Sequence, residues 1–216
     1  KLRSVDDTKS LLTQLSALLA TRLHSGAGQR LDLLRENKDG RPLLIEYRSL
    51  EKLDWMQGCY VRSKKFDELA RLCRPFFTRN IDEDKFHRIV AMSQERMICL
   101  SEINELSDFI FELPNYDPEL LIWKKSDRDS GIRYLNELLQ MITSMDDVLF
   151  DDAKKIELAV LEWIKTNQYS NGDVLWPFRT ALSGLSKSPP PFTIAWVLGK
   201  TETIARLQKA IQLLAQ

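Results

Sequence analysis

Residues with the capacity for catalysis are sparse in this 216-residue chain. His24 and His87 stand far apart, and neither belongs to a His-Glu-x-x-His or similar ligand spacing, so no metal site is expected. Cys59, Cys73 and Cys99 are odd in number and never form a Cys-x-x-Cys pair, which reads as reduced thiols of a cytoplasmic protein. There is no phosphate loop, no Gly-x-Gly-x-x-Gly and no Gly-x-Ser-x-Gly elbow. The adjacent acids Asp146-Asp147 and Asp151-Asp152 suggest an acid/base pair. On a helix, however, neighbouring side chains diverge by about 100°. Carboxylates at a helix start are instead favoured by the helix dipole. No self-contained active site is expected.

The chemistry the sequence does offer is that of binding. In "WPFRTALSGLSKSPPPFTIAWVLGK", residues Trp176 to Lys200, an arginine follows Trp-Pro and three prolines approach a new apolar segment. The prolines fix φ and stiffen that approach. Ser188 offers a hydroxyl, the next helix its positive end, Phe192 a ring and Arg179 a planar cation. Such groups together can hold unstacked nucleotides. The same residues allow two other readings: Trp176 and Phe192 as core with prolines that cap a helix, or a proline-rich ligand for a small recognition domain.

These groups must be positioned by helices. Apolar spacings of three and four recur along Leu11, Leu12, Leu15, Leu18, Leu19 and Leu23, and along Phe66, Leu69, Leu72, Cys73, Phe76 and Phe77. They recur from Phe86 to Leu100, from Ile103 to Ile110, from Ile132 to Ile142, from Ile156 to Ile164 and from Ile204 to Leu214. "PLLIEYR" at 42–48 is the one plausible strand. Breaks are expected at "KDGRP", "ELPNYDP" and "YSNGD", with Gly199 ending one helix and Thr201 capping the next. The fold class is all-α, with a division near the connection from Pro114 to Trp123. No apolar run is long enough to span a membrane, and no secretion leader is visible.

Charge is segregated although 31 basic residues balance 31 acidic ones. Residues 60–80 hold six basic and two acidic side chains, and residues 176–216 hold five and one, a net +4 in each. Residues 101–152 hold thirteen acidic and four basic side chains, a net −9. The pattern fits a polyanion held at selected places, and it equally fits scattered charge on helix surfaces.

Three ordered stretches resemble the C-terminal region of bacterial glutamyl-tRNA synthetases. "LWPFRTALSG" with "SPPPFTIAWVLGKTETIARLQKAI" is similar to that family's Trp/Gln-Pro-Leu-Arg-x-Ala-Leu-(Thr/Ser)-Gly and the Ser/Thr-Pro-Gly-x-Phe and Leu-Gly-Lys-Glu after it. "SLEKLDWMQGCYVR" with "FDELARLCRPFF" resembles the Lys-Leu-Asp-Trp-Leu-Asn-Gly-x-Tyr-Ile-Arg stretch and its following helix. "QERMICLSEINELSDFIF" resembles the Arg-x-x-x-Leu-x-Glu helix, and "YDPELLIWKK" also has a familial look. The likeness runs from about Leu50 to the C-terminus.

The resemblance implies an all-α anticodon-binding region of two helical subdomains, over 49–122 and 123–216, that form a bundle or cage. Residues 1–48 would be a preceding helical segment of uncertain role. It places tRNA anticodon contacts on Arg96, Arg179, Ser188, Pro189 and Phe192, with Arg96 on an accessible helix face helping to separate glutamate from glutamine anticodons. It implies that the full enzyme uses ATP and magnesium, that this chain holds no cofactor and is inactive alone, and that its partners are a glutamate-accepting tRNA and the catalytic domain of the same enzyme. A monomer is expected. The alternative is a free-standing helical RNA-binding or scaffold protein. Pro190 and Gln57 stand where the family has glycine and asparagine, and neither His-Ile-Gly-His nor Lys-Met-Ser-Lys is present.

Overall fold

A computed structural model of the chain describes residues 32–36, 42–46, 50–124 and 126–216, with side chains from Asp54 onward. The chain divides into two compact units, Lys1–Leu53 and Asp54–Gln216. The apolar stripe from Leu11 to Leu23, and His24, lie outside the described residues. In the first unit, strand β1 (Asp32–Glu36) pairs antiparallel with β2 (Pro42–Glu46), with Leu34 opposite Leu44. The expected strand at 42–48 is therefore present, and its partner was not anticipated. The helix α1 (Leu50–Ser63) begins at the end of this unit and continues into the next.

From Asp54 on, the described residues are helical. After α1 come α2 (Phe66–Cys73), α3 (Glu83–Ser93) and α4 (Ile103–Phe111). The segment around Pro114 follows, and then α5 (Arg128–Ser144), α6 (Ala153–Thr166), α7 (Asn171–Ser183), α8 (Pro191–Leu198) and α9 (Lys200–Leu214). Of the flagged acids Asp146 and Asp152 act as caps, as do Asp82 and Asp127, while Asp147 pairs with Lys200. Asp82, Asp127 and Asp152 accept backbone N–H groups of Lys85, Ser130 and Lys154 at the starts of α3, α5 and α6, and Asp146 accepts from Val148. Each satisfies one of the orphan donors of a first turn. Thr201 does not cap α9: Gly199, at φ 78°, ends α8 and precedes Lys200 directly, so Thr201 lies inside the first turn.

One buried core joins residues from Val61 to Leu214, on both sides of the connection expected to divide the chain. The short α8 lies at its centre, against α3, α4, α6, α7 and α9. Its sequence PFTIAWVL is apolar nearly all round, and Pro191, Phe192, Ile194, Ala195 and Val197 are buried. A helix of that kind belongs inside a core.

Charged side chains bind elements across this core through helix-end carbonyls. Arg206 of α9, only 3% exposed, donates to the carbonyls of Phe109 and Ile110 at the end of α4 and of Leu182 at the end of α7, while its Nε meets Glu202 at 2.8 Å. A cation there answers both the unsatisfied carbonyls and the negative end of each helix. Arg88 of α3 donates to Trp196 O of α8, and Lys200 Nζ to Met145 O and Asp147.

Candidate nucleic-acid interface

Helix α7 carries Trp176 and Arg179 one turn apart. Pro177 between them forgoes a backbone N–H and is buried, so it turns its ring into the core. Trp176 is pinned by its indole N–H, which donates to Leu120 O at 2.8 Å. The Arg179 guanidinium lies 4.6 Å from the centre of the Trp176 ring, a cation–π stack.

Gly184 ends α7 in the left-handed conformation at φ 66°. A side chain there would meet both strain and the ring atoms of Pro114 and Tyr116, at 2.8 and 2.9 Å from its Cβ. The chain can therefore reverse, and the loop that follows returns to the same face. Arg179 Nη1 donates to Ser188 Oγ at 3.2 Å and Nη2 to Ser186 O at 3.0 Å, while Ser183 Oγ bridges to Ser188 Oγ at 3.1 Å. Arg179 and Ser188 thus meet across nine residues, as the small-residue turn between them allows.

Arg96, expected at the same site, comes from a distant part of the chain. It lies not on a helix face but on the turn after α3, where its N–H donates to Ser93 O at 3.0 Å. Met97 beside it is fully buried while Arg96 is exposed. Gln94 fixes the turn by donating to the carbonyls of Arg62 and Lys64 at the junction of α1 and α2. Burial, and then the charge of Arg96, lower the pKa of Arg179. The positive charge of Arg96 is thus felt at Arg179, and no carboxylate pairs with either among the described residues. Both effects disfavour the bare cation, and a bound anion would offset them.

Two expected contacts are corrected. Phe192 is only 7% exposed and packs edge-on against Phe178, with ring centres 6.4 Å apart, so it is core rather than a stacking platform. Pro189 is likewise buried, and Pro190 is the exposed member of the run. The three prolines hold α8 in the core and hold Ser188 at the surface beside Arg179.

The basic stretches also shrink. Lys64, Arg74 and Arg79 pair with Glu68, Glu83 and Asp108, Lys200 pairs with Asp147, and Arg206 is buried. In those stretches Arg62, Lys65, Arg71, Arg179, Lys187 and Lys209 remain without a carboxylate partner among the described residues, as does Arg96 outside them, and Lys187 is exposed on the loop after Gly184. Two residues outside the expected set lie beside Trp176. Trp123 packs on Trp176 with ring centres 4.7 Å apart, and Lys124 sits over Trp123 at 4.5 Å. The signal for them was the "WKK" run, an aromatic beside two cations.

The family model described as "Anticodon binding domain" matches residues 68–211. The chain belongs to this anticodon-binding domain family. Among curated relatives, a glutamate--tRNA ligase of Clostridium botulinum is 36% identical over 167 residues, which cover 76% of this chain and 34% of the relative. One from Bacteroides fragilis is 31% identical over 163 residues, covering 74% and 32%. A solved glutamate tRNA ligase from Elizabethkingia meningosepticum, described in complex with its amino acid, has a TM-score of 0.63 at 23% identity over 76% of this chain and 32% of that one. That likeness carries the fold. The chain spans about a third of the length of the curated relatives it matches. The matched region of the anticodon-binding domain contains Arg96, Arg179, Ser188, Trp123 and Lys124.

Proposed function

We propose that this chain is the tRNA-anticodon-binding part of a glutamate--tRNA ligase, and that Arg96, Arg179 and Ser188 contact the anticodon nucleotides. The observation that carries the reading is the half-buried Arg179, stacked on Trp176 and bonded to Ser188 without a balancing carboxylate among the described residues, with the charge of Arg96, 83 residues away in sequence, acting on it. Like charges brought together in a structure cost free energy unless a ligand anion offsets them. Family membership supports a tRNA anticodon as the ligand, and the likeness to glutamate--tRNA ligases favours a tRNA that accepts glutamate.

In this reading the bases are splayed from the loop, Arg179 and Ser188 hold a phosphate, and Arg96 meets that backbone while its fork also reaches a neighbouring base edge. Adenylate formation with ATP and magnesium belongs to a catalytic domain outside this sequence, which this part would supply with a correctly placed tRNA. Among the described residues no three His, Cys, Asp or Glu side chains form a metal-binding group, and no helix is long and apolar enough to cross a membrane. The whole enzyme would act in the cytoplasm as a monomer.

The test is selectivity. The chain should bind an anticodon hairpin of glutamate-accepting tRNA more tightly than the same hairpin with an unrelated triplet, by roughly tenfold or more. A single well-formed base contact is worth ~1–3 kcal/mol in the analogous DNA readout. In the full enzyme, Arg96→Gln should narrow the preference for glutamate over glutamine tRNA by a similar factor. Equal affinity for every triplet would remove the anticodon reading.

A further inference from the structure

Beyond the Arg179–Arg96 face, a row of rings and cations continues along the surface. Arg179 lies 4.6 Å from the Trp176 ring, Trp176 lies 4.7 Å from Trp123, and Trp123 lies 4.5 Å from Lys124 Nζ. Each member is fixed except the last. Trp176 is held by its bond to Leu120 O. Trp123 is seated against the first turn of α7 at Gly172, where any Cβ would run into its indole nitrogen.

Lys124 is exposed, and no carboxylate pairs with it among the described residues. It is the second residue of a tight turn closed by Ser126 N–H to Trp123 O at 2.7 Å, and its backbone is left-handed at φ 38°. Glycine or asparagine would take that conformation more readily. A lysine held in a sparsely populated conformation, with its ammonium over a tryptophan ring, points to use by a ligand rather than to folding.

We propose that Trp123 and Lys124 form a second nucleotide subsite beside Arg179. There an unpaired base of the bound RNA stacks on the Trp123 ring and Lys124 moves onto the adjoining phosphate. The proposal rests on the anticodon-binding reading and extends it to a base flanking those held at Arg179 and Arg96. Stacking platforms interleaved with cations suit single-stranded RNA because every base has a π-face and every linkage a negative charge. A folded protein partner would not call for alternation of ring and cation along one line.

The test uses synthetic hairpins of the glutamate tRNA anticodon arm carrying 2-aminopurine at each loop position that flanks the anticodon. Wild-type protein should quench the probe at one flanking position as it stacks. Trp123→Ala should abolish that quench and weaken binding by about fivefold or more. Lys124→Gly should weaken binding about two- to fivefold and lower the salt slope by roughly 0.7, while melting no lower than wild type because glycine relieves the left-handed backbone. That variant keeps the test independent of any folding defect in Trp123→Ala. Unchanged affinity and salt slope in Lys124→Gly, or no quench at any flanking position in wild type, with Arg179→Ala still weakening the same hairpin, would overturn the subsite and leave the anticodon reading standing. Failure of wild-type protein to bind the hairpin would end both.

Discussion

Phe192 and Arg179 separate core from site within a span of fourteen residues. Both were expected to face RNA, yet Phe192 is packed on Phe178 and Arg179 lies over Trp176. Truncation of a buried phenylalanine leaves a cavity and costs ~3–5 kcal/mol. Phe192→Ala should therefore lower the melting temperature by several degrees and leave the RNA affinity of the folded fraction unchanged. Calorimetry and RNA titration on the same sample distinguish the outcomes. Loss of affinity at unchanged stability would return Phe192 to the surface. The role of Phe192 was legible in the sequence, since PFTIAWVL carries Thr193 as its single polar residue. The motif match alone pointed elsewhere. The Arg179–Ser188 contact was legible too, because a small-residue turn with Gly184 lay between them. The approach of Arg96 was not: its place depends on how the turn after α3 is tied to the α1–α2 junction by Gln94, a contact of residues about thirty apart.

At the scale of elements, helices and caps were readable from apolar period and acidic starts, whereas the couplings between helices were not. Arg206 counts as surface charge in the sequence, four residues from Glu202. In the structure it is the buried tie between α9 and the ends of α4 and α7. Nothing in local sequence announces three carbonyl partners from two other helices. Arg206→Met would fill similar volume but strip those carbonyls of their donor. Three buried carbonyl acceptors left without their donor should together cost about 3 kcal/mol or more. Thermal melting should fall by roughly 10 °C for a unit of this size. A melting point within a degree or two of wild type would show that water replaces the guanidinium without loss. The trait that hid Arg206 also hid β1: a strand without alternating pattern is found by its partner, and β2 was the visible one.

Across the whole molecule, the burial of titratable groups predicts alkaline weakness. Burial pushes the Cys73 thiol from 9.0 to about 12 and the Tyr116 hydroxyl from 10.0 to about 12. The Tyr116 hydroxyl also has no hydrogen-bond partner among the described residues. Between these values the unfolded chain releases protons that the folded chain keeps, so rising pH favours unfolding. The stability concerned is fully present below pH 9 and falls as pH approaches 12. Tyr116→Phe should remove its share of that decline at little cost at neutral pH, since only an unpaired hydroxyl is lost. Melting curves from pH 8 to 11 would read the difference, and parallel declines in both proteins would contradict the burial of Tyr116.

The central claim is that two arginines from distant segments share one phosphate-bearing RNA ligand. Its most direct measurement is the salt dependence of binding to the anticodon hairpin for wild type, Arg179→Ala, Arg96→Ala and the double variant, with folding verified by melting. Each single variant should lower the slope of log affinity against log salt by roughly 0.7, and the double by about twice that. Wild-type slopes in all three folded variants would contradict it.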